Sequence, residues 1–282
     1  MIIDTHVHVV APDQQRYPFA PAGGFRMSGL GSWQTQYPVS AEQMIATITG
    51  AGVDRAVIVQ PFSAYGFDNS YHADSAAAHP DRFGSVCTVD PVAPDGAERL
   101  SYWVRERGMQ GLRLTTSREG SRLDDERSFP VWERAGELGI PICLLTSPEH
   151  WPGVRAMAER FSRVPVLLDH AGGMGAGQSD GVVEELIGLA SLPNVQIKVS
   201  TVNLAPLFAQ GDTAQSRWRR LADAYGAERL LWGSNYPVSQ EGSYADMVRL
   251  GERALPFLTD AQREALLGGN AGRYWPRPVT RK

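Results

Sequence analysis

The sequence predicts a closed (β/α)8 barrel, and three observations lead there. Eight short apolar or β-branched runs recur along the 282 residues, each followed by a polar or glycine-rich junction and a helix-like stretch. Strict alternation of strand and helix implies parallel strands joined by crossovers. Nothing like GxGxxG follows the first run, which disfavours the competing doubly wound open sheet.

The strand-like runs are IIDTHVHV (2–9), RAVIVQP (55–61), FGSVCTVD (83–90), GMQGLRLT (108–115), PICLLT (141–146), PVLLDH (165–170), VQIKVS (195–200) and RLLWGSN (229–235). Helix-like segments with apolar residues three and four apart span 41–50, 69–78, 96–107, 129–138, 153–161, 181–189, 214–225 and 244–255. A last helix, 260–267, has Thr259 as its cap and Gly268 and Gly269 at its end. No Ser/Gly linker or break in composition divides the chain, so residues 1–282 read as one domain. One connection stands apart. Residues 11–39, after strand one, lack periodicity and carry Tyr17, Phe19, Phe25, Trp33 and Tyr37 with Gly23-Gly24. Loops of this length are usually lids or binding loops; the competing reading is an aromatic plug on the flank of the barrel.

Composition narrows the class. With 43% apolar and 21% charged residues, the chain is not disordered, collagen-like or a disulfide scaffold. A formal charge of −4 with no basic stripe argues against a nucleic-acid partner. No apolar run approaches the roughly 20 residues of a membrane helix, and the start does not read as a signal peptide. A cytoplasmic location and no membrane partner are therefore expected. Cys87 and Cys143 sit alone in apolar runs and read as reduced, buried thiols. Lys198 and Lys282 are the only lysines.

A barrel puts reacting groups at the C-terminal ends of its strands. The residues there are His6, His8, Gln60, Asp90, Arg113, Thr115, Thr146, His170, Lys198, Ser200, Ser234 and Asn235. His6 and His8, one residue apart on a strand, share a face and form half of a divalent-metal site; two buried, hydrogen-bonded histidines are the alternative. His170 carries neutral imidazole near pH 7 and suits a general base. Asp169, taken to face away from His170 by period two, reads as structural. Arg113 offers a fork matching a carboxylate; an ion pair with a loop acid is its alternative. Lys198 faces with Gln196 and Ser200, and reads first as structural, balancing an acid such as Asp4, with Schiff-base chemistry as the rival. Gln60, Tyr65 and Thr146 are candidate substrate contacts. Asp68 or Asn69 would cap the following helix. His72 and His79 read as structural, and His150 as part of a loop-to-helix transition.

The segments IIDTHVHV, YGFDNSYHADSAAAHPDRF (65–83), GLRL (111–114), LLDHAGG (167–173), NVQIKVS (194–200), RLLWGSNYPVS (229–239) and LTDAQREALLGGNAGRYW (258–275) occur in that order. As an ordered set running from Met1 to Trp275 they resemble the amidohydrolase-2 family, nearest the 2-pyrone-4,6-dicarboxylate lactonase branch. The resemblance implies a (β/α)8 barrel that hydrolyses lactones or other carbonyl compounds, with non-oxidative decarboxylation in sister branches. It places the strand-one H-x-H on His6 and His8, the strand-six histidine on His170, and the carboxylate-gripping arginine on Arg113. It also places the strand-eight general base, an aspartate in GSDxP, on Asn235, because the motif reads Gly233-Ser234-Asn235-Tyr236-Pro237 here. The strand-five histidine of metal-dependent members would fall near Leu145 or Thr146 and is missing; metal-independent lactonases of the branch lack it too.

The amide in place of the aspartate matters most, because it accepts no proton at neutral pH. Loss of a positioned base costs about 10²–10⁴ in rate. His170, helped by Asn235, is the best substitute, while His6, His8 and Lys198 would polarise the carbonyl. Expected are no required cofactor, or one divalent ion (zinc first) on His6, His8 and His170 with an incomplete donor set. The expected activity is opening of a small cyclic ester bearing a carboxylate or hydroxyls. The alternatives are decarboxylation of an aromatic or unsaturated acid and a silent barrel binding a carboxylated ligand. A homodimer or higher homo-oligomer fits the family's habit.

Overall fold

A computed structural model describes residues 1–20, 33–116, 122–175, 178–240 and 242–276. Eight parallel strands run β1 (Ile3–Val7), β2 (Arg55–Val59), β3 (Phe83–Thr88), β4 (Leu112–Thr115), β5 (Ile142–Leu145), β6 (Val166–Leu168), β7 (Val195–Ser200) and β8 (Leu230–Gly233), neighbours in space in that order. Every predicted run contains one of them. Helices follow the expected segments closely: Ala41–Gly50 and Phe129–Leu138 have the predicted bounds. The helix after β7 is the exception. It begins at Thr201 and reaches Tyr225, with a break at Gly211. Among the described residues no helix is long and apolar enough to cross a membrane.

The cylinder closes between β8 and β1. The Asn235 N–H donates to the His6 carbonyl at 2.8 Å, and the His8 N–H to the Tyr236 carbonyl at 2.8 Å. A buried carboxylate staples this seam. Asp4 accepts from the N–H groups of His6 (3.0 Å) and Ser234 (2.9 Å) and from the Tyr244 hydroxyl (3.0 Å). Burial pushes its pKa up despite these donors. Gly233 permits the approach: a Cβ there would lie 2.7 Å from that of His6.

Period-two alternation sorts the side chains into two cores. Val57, Val59, Val86, Cys143, Leu167 and Leu231 fill the barrel with Ile3 and Trp275. Ala56, Ile58, Leu112, Leu144, Leu168, Ile197 and Trp232 face the helices. Strand β1 changes phase along its length, with Ile3 in the inner core but Val7 and Val9 in the outer one. Its pairing with β2 shifts register between Asp4 and Val7. That irregularity turns His6 and His8 to the inside, the usual effect of a bulge near a site.

The long loop after β1 is partly described. The N–H of Ala11 donates to the Tyr65 hydroxyl, that of Ala20 to the Ala64 carbonyl, and Tyr17 packs beside Tyr71. Phe25 and Gly23-Gly24 lie outside the described residues.

Candidate active site

A cavity of about 440 Å³ opens at the C-terminal ends of the strands. His8, Arg113, Thr146, His170 and Asn235 line it, with Trp33, Phe62, Leu145, Val202 and Val238 as its apolar wall. The structure thus brings five of the expected site residues to one cavity. His6 lies directly beneath, its ring centroid 5.0 Å from that of His8 and 4.8 Å from that of His170.

Proton positions in this cluster follow from its hydrogen bonds. Nδ1 of His8 is 2.7 Å from the Val59 carbonyl oxygen. A carbonyl only accepts, so Nδ1 carries the proton and Nε2 of the neutral ring is bare. Nε2 of His6 lies 3.3 Å from that bare nitrogen and donates to it. Nδ1 of His6 is then bare and accepts from the Lys198 ammonium at 3.2 Å. The same ammonium sits 3.0 Å from Oδ1 of Asp169, and Nε of Arg113 lies 3.3 Å from Oδ2. Two cations thus flank one buried carboxylate, whose oxygens are held by charge rather than by aligned hydrogen bonds.

Burial is the largest influence on the three imidazoles and on Asp169, and it disfavours charge. It holds His6 and His8 well below the usual imidazole range, with Lys198 adding to the effect at His6 and Arg113 at His8. His170 is lowered to about 4, burial outweighing the attraction of Asp169. For Asp169 burial pulls upward, but Lys198, His6 and Arg113 together keep its carboxyl well below the ordinary range. All three imidazoles are therefore neutral at pH 7, and the surrounding fixed charge is Lys198 and Arg113 against Asp169.

Several expectations need correction. Asp169 is not turned away from the site. Leu167 faces the barrel interior, so Asp169, two residues on, continues that face. His170 reaches the cavity by another route, a left-handed turn in which His170 (φ 54°), Ala171 (52°), Gly172 (66°) and Gly173 (78°) all have positive φ. For the two non-glycine residues this conformation costs roughly 1–2 kcal/mol each, and such strain gathers at functional sites. Gly173 is required there, because a Cβ would lie 2.3 Å from the Thr146 carbonyl oxygen. Lys198 balances Asp169 rather than Asp4; it lies under the cavity and does not line it. His6 and His8 have their ring protons committed to His8 and to Val59, so neither presents a donor to a carbonyl in the cavity.

Gln60 falls on the outer phase of β2. It is buried and donates to the carbonyls of Gly66 and Asp68, so it is a loop support and not a substrate contact. Tyr65 is buried against the first loop, outside the cavity wall. Of the two candidate caps, Asp68 accepts from the Ser70 N–H that opens the helix, while Asn69 clamps Thr88 of β3 through both backbone groups. His72 donates to the Val9 carbonyl, a structural role.

Asn235 holds a left-handed conformation (φ 64°), which asparagine tolerates better than most residues. Its amide NH2 donates to Ser239 Oγ at 3.1 Å. Among the described residues no group donates to its Oδ1. Sequence reasoning missed Asn203. From the helix after β7 it donates to the carbonyls of His170 and Met174 and accepts from Ser200. Its signal was position alone, three residues past the end of a strand.

A divalent metal would need more donors than these residues offer. The Nε2 atoms of His6 and His8, 3.3 Å apart, could share one ion. Beyond that pair the donors run out. Strand five offers Leu145 and Thr146, and strand eight a neutral amide. Among the described residues no three His, Cys, Asp or Glu side chains are grouped to hold an ion. The set does not fit a tightly held divalent metal.

Known proteins place the chain. An L-fucono-1,5-lactonase of Burkholderia ambifaria is 27% identical over 248 residues, 84% of each chain. A candidate 2-pyrone-4,6-dicarboxylic acid hydrolase of Pseudomonas putida shares the fold, with a TM-score of 0.78 and 24% identity over 99% of this chain and 98% of that one. An amidohydrolase of Burkholderia multivorans with bound zinc has a TM-score of 0.73 and 24% identity over 99% and 100%. The family model described as amidohydrolase matches residues 3–277, and the chain belongs to that family.

Proposed function

We propose that this cavity opens a small lactone bearing a carboxylate, without a resident metal. One observation carries the reading: a neutral imidazole, His170, held by Ser200 through Nδ1, lies on the cavity wall with the guanidinium of Arg113. The named activity of the Burkholderia ambifaria relative supports the substrate class.

Arg113 is anchored on its Nε side by Asp169, which leaves the far edge of its fork for a substrate carboxylate. Asn235 Oδ1 accepts one hydrogen of a water, and Nε2 of His170 accepts the other as the water oxygen bonds to the lactone carbonyl carbon. With the substrate carboxylate paired to Arg113 the charges balance, and negative charge on the former carbonyl oxygen develops close to the fixed cations Arg113 and Lys198. On collapse the ring C–O bond breaks, its electron pair goes to the leaving oxygen, and the imidazolium of His170 returns the proton there. The product is the open hydroxy acid.

The test is acid release from five- and six-membered lactones, with and without a carboxylate, measured in a chelator at neutral pH. Turnover of the carboxylated lactones is expected, falling about 10²–10⁴-fold in His170→Ala. Wild-type turnover in that variant would overturn the assignment, as would carbon dioxide release from phenolic acids without any lactone turnover.

A further inference from the structure

His170 works as a base only if the nitrogen facing the cavity is the bare one. In neutral imidazole that choice is made by the partner of the other nitrogen. Nδ1 of His170 lies 2.8 Å from Ser200 Oγ. A hydroxyl can donate or accept, so Ser200 alone decides nothing. The decision lies one residue further away.

Asn203 has its amide orientation fixed by main chain on both sides. Its nitrogen lies 3.0 Å from the His170 carbonyl and 3.1 Å from the Met174 carbonyl, which only accept. Its oxygen lies 3.1 Å from the Ser200 N–H, which only donates. A flipped amide would set an oxygen against two carbonyls and an NH2 against an N–H. Oδ1 is therefore an acceptor, and Ser200 Oγ stands 3.2 Å from it. If the Ser200 hydroxyl donated to His170, two acceptor oxygens would face each other at that distance. The hydroxyl hydrogen thus points to Asn203, and its oxygen accepts from Nδ1–H of His170.

We propose that Asn203, acting through Ser200, is a positioning residue that holds His170 as the Nδ1–H tautomer and leaves Nε2 as the proton acceptor in the cavity. The catalytic part of this rests on the lactone reading above; the tautomer itself does not. The wiring also links base and backbone. The amide that orients the ring also ties down the left-handed turn presenting it, through the carbonyl of His170 itself.

The experiment reads the tautomer first, without substrate. In protein labelled with ¹⁵N-histidine, long-range ¹H–¹⁵N spectra at pH 7 separate Nδ1–H from Nε2–H rings. The chain has six histidines, and the signals lost in His170→Gln assign the ring. His170 is expected as Nδ1–H in the wild type. Asn203→Leu frees the Ser200 hydroxyl to donate to Nδ1 and should move the ring toward Nε2–H. Ser200→Ala keeps both carbonyl bonds of Asn203, guards against misfolding of the first variant, and should remove the preference. On a turned-over lactone, both variants should lose about 10- to 100-fold in kcat with little change in KM, the scale of losing an imidazole's orienting partner. An Nε2–H ring in the wild type, or an unchanged tautomer in folded Asn203→Leu and Ser200→Ala, overturns the proposal. The predicted tautomers in a protein that opens no lactone would uphold it while defeating the lactone reading.

Discussion

Acidification should unfold this protein well above the range in which carboxylates titrate. Four imidazoles are held neutral by burial: His6, His8, His72 and His170. Each regains an ordinary pKa near 6.5 on unfolding. The unfolded chain therefore binds more protons below that value, and stability is complete above it and lost as pH falls. Two of the four can be quantified, because burial lowers His170 to about 4 and His72 to about 3. Going from pH 7.5 to pH 5, each removes about 2 kcal/mol, so the pair removes about 4 kcal/mol. His6 and His8 act in the same direction. Asp4, raised by burial, is protonated more readily in the fold and offsets part of the loss. Asp169, held low by its cations, withdraws stability only below the unfolded carboxylate range near 3.9. Domain stabilities are about 5–15 kcal/mol, so the loss is a large share of the whole. Urea unfolding followed by circular dichroism across this range measures it directly. The slope should be at least about 1 kcal/mol per pH unit near pH 5.5 and should flatten in His72→Gln. A free energy of unfolding that is level from pH 7.5 to pH 5 would refute the neutrality of these rings, and with it the role of His170 as a base.

Two further outcomes follow from the charges around Asp169. Lys198→Met removes the nearest cation and leaves a buried carboxylate with only Arg113 and neutral His6 near it. Breaking such a pair costs about 3–5 kcal/mol, seen as a lowered thermal midpoint; an unchanged midpoint would show that Asp169 does not depend on the lysine. Asn235→Asp supplies the carboxylate that the strand-eight position lacks. It should raise kcat for lactone hydrolysis, raise KM for carboxylated lactones because the added charge opposes them, and introduce zinc binding, measured by acid release and by titration calorimetry; a lower kcat with no zinc bound would show that the site cannot use a second acid.

The barrel was legible because its signal is long-range and repetitive. Eight alternations leave few other topologies, and strands such as β7 show their two faces plainly, with Val195, Ile197 and Val199 outward and Lys198 and Ser200 inward. The site was legible only as far as period two holds. Gln60 was placed inward by its position at a strand end, although its phase matches Ala56 and Ile58 on the outer face. Asp169 was placed outward by fixing His170 on the inner face, when the inner phase runs through Leu167. The left-handed turn lets adjacent residues both reach the interior, and no periodicity announces it. Asn203 belongs to a hydrogen-bond chain joining three elements, which a linear pattern does not display.

The asparagine on strand eight reads differently once Asp169 is in place. With an aspartate at position 235, two carboxylates would oppose Lys198 and Arg113, and the site would be neutral before any substrate entered. With Asn235 the cluster keeps one uncompensated positive charge in a cavity walled by Trp33, Phe62, Leu145 and Val238. A low-dielectric wall strengthens that charge toward an entering carboxylate. The same charge helps keep His8 and His170 neutral, since Arg113 lowers both. An amide at position 235 thus leaves His170 as the available base, unprotonated at neutral pH but weaker than an ordinary imidazole. On the proposed reading, the imidazole that accepts the proton is kept bare chiefly by burial, with Arg113 and Lys198 adding to it, so the guanidinium that would hold the substrate also lowers the strength of the base.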